Sequence, residues 1–226
     1  MIMDFDVKAH LRQVLDTLPE GVSLVAISKY HPREYIEAAY AEGQRIFGES
    51  HEQELRQKQP QLPQDIEWHF IGHLQTNKVK YIAPYISMVE TVDSIRLLRE
   101  LNKQAAKYGR VIDVLLELHI AKEVTKYGLT LDDCRQLLEN GEWRTLDHVR
   151  ICGLMMMASN TDDESLIAQE FDTVADFFNE VKDRYFSEAP HFRIRSWGMS
   201  GDYPVAVRHS SNMVRIGTAI FGPRVY

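Results

Sequence analysis

Eight short apolar runs, each followed by a stretch of helical patterning, constrain this chain more than any other feature. The runs are "VSLVAISK" (22–29), "RIFGE" (45–49), "EWHFIG" (67–72), "ISMVETVD" (86–93), "VIDVLLELHI" (111–120), "VRICGLMMMA" (149–158), "FRIRSWGMS" (192–200) and "MVRIGTAIFG" (213–222). Most are continuous rather than alternating, as strands covered on both faces are. Between them, "PREYIEAAYAEG" opens on Pro32 and closes on Gly43, the usual start and stop of a helix. "DSIRLLRELNKQAAKYG" offers Asp93 as N-cap, a stripe of Ile95, Leu98 and Leu101, and Gly109 as the stop. "TLDDCRQLLENG" offers Thr130, Asp133 and Gly141 in the same way. "TDDESLIAQEFDTVADFFNEVKDRY" begins with the spacing of a capping box, Thr161 and Glu164, and turns Phe171, Val174, Phe178 and Val181 inward. Three weaker helical stretches are "SHEQELRQKQ", "LQTNKVKYIAPY" and "DYPVAVRHS".

Strands that alternate with helices build βαβ units and a parallel sheet. Strand starts fall roughly every 27 residues, which fits a closed (β/α)₈ TIM barrel of about 250 residues. The rival is an open doubly wound sheet, which carries a Gly-rich phosphate loop after its first strand. Here "ISKYHPRE" follows that strand without a glycine. Nothing resembles a linker or a composition break. The expectation is therefore an α/β chain forming a single domain over 1–226, with an extra N-terminal helix in 1–21, placed to plug the barrel bottom, and the barrel in 22–226.

Charge and cysteine content narrow the function classes. The chain has 226 residues, 33 acidic against 26 basic, for a net charge of −7. That lacks the basic footprint of a nucleic-acid binder. No stretch has the length of a membrane span, and "MIMDFDVKAHLRQ" carries acids where a signal peptide carries basic and then apolar residues. A cytoplasmic protein is expected, with its two cysteines, Cys134 and Cys152, reduced and buried. Nine histidines are present, but His69 and His73 sit on a strand and its turn rather than one helix face. No metal site is expected. The Met155–Met157 run reads as core packing, and Lys78 and Lys80 as a solvated helix face.

In a barrel of this kind the working face is the C-terminal end of the strands. Lys29 lies there, with Glu49, Ser50, His73, Ser200 and Gly201, and the last strand brings Arg215, Gly217 and Thr218. A lysine at an apolar mouth loses its proton readily and can form a Schiff base with a carbonyl. The bland reading is a side chain that snorkels to solvent. "SWGMSGD" and "VRIGTAIFG" are small-residue turns whose N–H groups can hold a phosphate, and barrels bind phosphate between strands 7 and 8.

The stretches "LVAISKYHP", "IFGESHEQE", "WHFIGHLQTNK", "ETVDS", "KYGL", "GLMMMA", "WGMSGD" and "VRIGTAIFG" occur in order from about residue 22 onward. As a set they resemble the pyridoxal phosphate homeostasis family, single-domain relatives of the alanine racemase N-terminal barrel. The resemblance implies pyridoxal 5′-phosphate as cofactor, held by Lys29 as an internal aldimine. It implies a phosphate cradle of Ser200 in "GMS" with Gly217 and Thr218 in "RIGT", Met199 and Gly201 beside it as cofactor-binding residues, and Arg215 facing the pyridine nitrogen. The family usually has Asn-Tyr after Phe-Gly-Glu. Here Ser50 and His51 stand in those places, so Ser50 replaces the asparagine near the cofactor ring. Trp197 and His73 replace a common methionine and a common proline.

Three functions fit such a site. The family implies a non-enzymatic protein that binds the cofactor, keeps its free level low and delivers it, with cofactor-dependent apoenzymes as recipients, as a monomer with no nucleic-acid or membrane partner. The alternative is an amino-acid racemase. That reaction needs a second acid/base, which alanine racemases take from a further domain; this chain ends at Tyr226, directly after the eighth strand. A cation at the ring nitrogen also weakens the electron sink that racemisation uses. The third is a cofactor-free barrel enzyme acting on a phosphorylated aldehyde through Lys29.

Overall fold

The computed structural model describes residues 5–120 and 127–223. Lys126 of the "KYGL" stretch and both chain ends lie outside them. All eight expected strands form: β1 Ser23–Ile27, β2 Ile46–Glu49, β3 Glu67–Phe70, β4 Met88–Val92, β5 Ile112–Leu118, β6 Val149–Met156, β7 Ile194–Met199 and β8 Met213–Ile216. They pair in sequence order, all parallel, and β8 returns to pair with β1 to close the barrel. The eighth apolar run is shorter as a strand than the sequence predicts. It stops at Ile216, and Thr218–Phe221 turns into a helix.

The continuous apolar runs have their explanation here. One face of each strand points into the barrel, where Val25, Ile27 and Met213 pack together beside Met88, Leu115, Cys152 and Met155. The other face meets the helices, where Leu24, Ala26, Phe47, Trp68, Val89, Val114, Leu116 and Leu154 belong to the larger core. Between β5 and β6 the register slips, Val114 pairing with Ile151 and Leu115 with Gly153. Gly153 has φ 157°, and a Cβ there would come within 1.9 Å of the Ile194 carbonyl oxygen. Only glycine allows β6 and β7, which pair here, to approach at that point.

The helices are α1 Val7–Thr17, α2 Arg33–Ala41, α3 Glu52–Lys58, α4 Val79–Ile82, α5 Ile95–Ala106, α6 Leu131–Asn140, α7 Glu164–Tyr185, α8 Tyr203–Arg208 and α9 Thr218–Phe221. α6 starts at the expected Thr130 and Asp133, which form a capping box, and ends on Gly141 at φ 73°. Two caps differ from expectation. α5 is capped by Ser94, whose Oγ accepts the Leu97 N–H, and not by Asp93. α7 is capped by Asp163, which accepts from Ser165 and Leu166. The Thr161 hydroxyl oxygen accepts the Asp163 N–H instead of forming a box with Glu164. In both cases the better acceptor is the residue next to the first helical turn.

α1 buries Val7, Leu11 and Val14 and packs against α2 and α9. It therefore flanks the barrel between its first and last helices, rather than plugging the bottom. Fully burying each of these side chains contributes about 1.5–3 kcal/mol. Cys134 and Cys152 are both buried and unpaired. No helix among the described residues is long and apolar enough to cross a membrane.

Candidate functional site

At the C-terminal end of the strands lies a cavity of about 250 Å³, lined in part by Lys29, Met155, Met199, Arg215 and Thr218. Ser200, Gly201 and Gly217 line it too. These residues come from four strands, β1, β6, β7 and β8, or the turns that follow them. Seven of the eight residues predicted from sequence thus share one cavity. The exception is Ser50. It is half-buried at the end of β2 and does not line the cavity. Its backbone instead packs under Gly72, where a Cβ would lie 2.3 Å from the Ser50 carbonyl oxygen. The methionine run also has a second role, because Met155 and Met157 face the cavity.

The β7 and β8 turns are tied to each other. Ser200 Oγ accepts the Gly217 N–H at 3.3 Å, which leaves the hydroxyl proton available to another acceptor. Asp202 closes the first turn by accepting the Met199 N–H at 2.5 Å. Gly217 sits against β1, where a Cβ would come to 3.1 Å from the Ile27 carbonyl oxygen. Among the described residues, no hydrogen bond takes the backbone N–H of Gly201 or of Thr218. Two hydroxyls and two uncommitted N–H groups therefore belong to residues that line the cavity. That donor set fits an anion with several oxygens, such as a phosphate.

Arg215 forms the other boundary. It is 4% exposed. Its Nη1 donates to the Ser196 carbonyl and hydroxyl oxygens, both at 2.7 Å, and Nη2 donates to the Met156 carbonyl at 2.8 Å. Glu90 Oε2 lies 3.8 Å away. Burial pulls the guanidinium down from its ordinary range, with Glu90, Asp202 and Glu117 opposing; it stays a cation at neutral pH.

A buried polar layer beneath the cavity escapes the sequence reading. Glu90 of β4 is fully buried, its Oε1 lies 2.7 Å from His69 Nδ1, and its Oε2 accepts from Ser196 Oγ at 2.6 Å. Burial opposes its ionisation, but His69, Arg215 and Ser196 outweigh burial and hold the carboxyl below the usual range. Glu117 of β5 is 3% exposed and pairs in register with Met155, and among the described residues its Oε2 has no hydrogen-bond partner. Burial pushes it up to about 7, with Asp93 adding and Arg215 opposing. A charged residue inside an otherwise apolar run, as in "MVETV" and "VLLEL", is the signal that marks both. His69, read above only as a metal candidate, is the Glu90 partner. His73 is at the rim, stacked on Tyr127 at 3.8 Å. Lys78, expected on a solvated face, pairs with Glu52 at 2.7 Å.

The alanine racemase N-terminal domain family matches residues 6–225 of the chain. A relative from Pasteurella multocida, a pyridoxal phosphate homeostasis protein, is 37% identical over 92% of this chain and 89% of its own length. The chain belongs to the pyridoxal phosphate homeostasis family. The barrel is similar to PipY of Synechococcus elongatus PCC7942, solved with PLP bound, at 33% identity and TM-score 0.85, covering 96% of this chain and 100% of that one. An alanine racemase of Clostridium difficile 630 shares the fold at 14% identity and TM-score 0.74, with this chain spanning 56% of that one.

Proposed function

We propose that the cavity holds pyridoxal 5′-phosphate through Lys29 and that the protein keeps and hands on the cofactor without transforming a substrate of its own. The observation that carries this reading is the meeting of Lys29 with the Ser200, Gly201, Gly217 and Thr218 donors in one cavity. When bound, the cofactor supplies an aldehyde carbon to which a lysine amine adds reversibly with loss of water. The residues of this chain do the rest. Ser200, Thr218 and the neighbouring N–H groups bind the phosphate. Met199 would lie against the cofactor, and Arg215 would supply a donor and a positive charge toward the ring nitrogen. Ser50 has no part in this set.

A fixed guanidinium at the ring nitrogen disfavours protonation there and weakens the ring as an electron sink. That favours storage and release over racemisation. The relatives' name, homeostasis protein, supports the same reading. Apoenzymes with lysines of their own are the natural recipients of a reversibly held aldehyde.

The test is Lys29→Ala. The native chain incubated with pyridoxal 5′-phosphate and reduced with borohydride should carry one stable adduct at residue 29, seen by peptide mass. The variant should lose that adduct while its unfolding midpoint stays within about 0.5 kcal/mol of native, the usual range for a change away from the packed core. A variant that keeps a single adduct of equal yield elsewhere in the cavity would refute Lys29 as the anchor.

A further inference from the structure

Lys29 lies two residues past the end of β1, yet its backbone is held from outside the cavity. The carbonyl of Ser28 accepts from Lys58 Nζ at 2.9 Å, and the N–H of Tyr30 donates to Glu54 Oε1 at 2.6 Å. These two groups belong to the two peptide planes that meet at the Lys29 Cα. Both holders come from α3, four residues apart, and bond to each other, Lys58 Nζ donating to Glu54 Oε1 at 2.6 Å. Lys58 also donates to Glu49 Oε1 at 2.8 Å, and the Ser28 hydroxyl donates to the same oxygen at 2.7 Å. The lysine is 8% exposed. On an isolated helix, Glu and Lys at this spacing form a weak solvated pair. Here the pair is packed over the end of β1 and spends its hydrogen bonds on the residues flanking Lys29.

The clamp also explains a backbone oddity. Tyr30 has φ 65°, a left-handed conformation that a bulky side chain rarely adopts. Such a residue persists where its surroundings hold it. The charge-assisted bond from Tyr30 N–H to Glu54 is that hold, because a carboxylate acceptor makes a shorter and stronger bond than a neutral one.

We infer that Glu54 and Lys58, neither of which lines the cavity, are positioning residues for Lys29: by holding the peptide planes on both sides of its Cα they set how its side chain enters the cavity. The inference rests on the reading of Lys29 as the cofactor-bearing residue. A reacting group displaced by about an ångström loses up to two orders of magnitude in reactivity. Freeing Tyr30 N–H should therefore weaken covalent capture at Lys29 and leave the phosphate cradle as it was.

Two ligands separate these effects. Pyridoxal 5′-phosphate reports capture, through the borohydride-reducible adduct at residue 29. Pyridoxine 5′-phosphate has an alcohol in place of the aldehyde and reports only cradle binding, by calorimetry. Glu54→Ala should lower the apparent affinity for capture about tenfold or more, while pyridoxine 5′-phosphate binding stays within about twofold. Glu54→Gln keeps an acceptor oxygen for Tyr30 N–H and should recover most of the loss. Lys58→Met should show the same split as Glu54→Ala. If it fails to fold, because Glu49 is then buried without its cation, the Glu54 pair of variants decides, since that side chain is 21% exposed. Unchanged capture in Glu54→Ala, an equal loss for both ligands, or a Gln variant no better than Ala would each overturn the inference. A native chain that binds pyridoxine 5′-phosphate yet forms no adduct at residue 29 would refute the Lys29 reading itself, and the clamp with it.

Discussion

Replacing Glu90 by glutamine tests the buried layer that supports Arg215. The carboxylate takes two hydrogen bonds inside the barrel, one shared with His69 Nδ1 at 2.7 Å and one from Ser196 Oγ at 2.6 Å. Its charge also stands 3.8 Å from the buried Arg215 cation. Glutamine has the same shape but only one acceptor oxygen, and no charge. Hydrogen bonds to charged groups contribute about 1.5–3 kcal/mol against about 1 for neutral ones. Two weakened bonds and the loss of the nearest countercharge to Arg215 therefore amount to a loss of about 2 kcal/mol, partly recovered if the His69 ring changes tautomer. For a chain of this size that lowers the melting temperature by about 4–8 °C. The loss should depend on pH in a set direction. The Glu90 carboxyl is held below its ordinary range in the folded chain, so the stability it adds is present above the unfolded value near 4.3 and is lost as pH falls through the folded one. Urea unfolding of native and Glu90→Gln chains at steps from pH 7 downward should give a gap that is full at neutral pH and closes below about pH 4. A variant within about 0.5 kcal/mol of native at pH 7, or a gap that persists unchanged in acid, would refute the assignment of Glu90 as an ionised support.

Other consequences are testable in the same way. Ser200→Ala/Thr218→Val removes two hydroxyl donors to a charged oxygen, so retention of pyridoxal 5′-phosphate through dialysis should fall by about two to four orders of magnitude, less what water restores; pyridoxal without its phosphate should be held as poorly by the native chain, and equal retention of both would make the two turns ordinary ones. Burial pushes the Glu117 carboxyl up to about 7, so the folded chain binds its proton more tightly than the unfolded chain does and stability declines as pH rises from about 4.3 toward 7. Glu117→Gln should accordingly gain on native by about 1–3 kcal/mol between pH 5 and pH 8 in urea midpoints, and a difference that does not vary with pH would count against it. The Cys134 and Cys152 thiols are pushed up to about 12 by burial; a disulfide exchange reagent at pH 8 should leave the native chain unlabelled and titrate both thiols in denaturant, whereas fast labelling of the folded chain would contradict their burial.

The sequence by itself determined the eight strands, their parallel order and the helices between them, because these follow from periodicity and from end signals that act within a few residues. "VSLVAISK" reads as a strand buried on both faces that ends in a lysine, and the structure forms that strand over Ser23–Ile27, with Lys29 two residues beyond its end. Where only local competition is at stake the outcome shifts by one residue: Ser94 caps α5 in place of its neighbour Asp93. Tertiary structure decided what meets across the barrel. Glu90 and Glu117 stand out in their apolar runs, but nothing local says that Glu90 faces His69 on β3, Ser196 on β7 and Arg215 on β8. The closure of β8 onto β1 brings Gly217 against Ile27, and the cavity that Lys29, Ser200 and Thr218 share exists only once that closure is made. Lys58 is the sharpest case. Its spacing from Glu54 is that of a solvated helix pair, and only the packing of α3 over the end of β1 buries it against the Ser28 carbonyl. Periodicity records which face of an element is apolar; which charged groups become partners is set by the distances that folding closes between strands far apart in the chain.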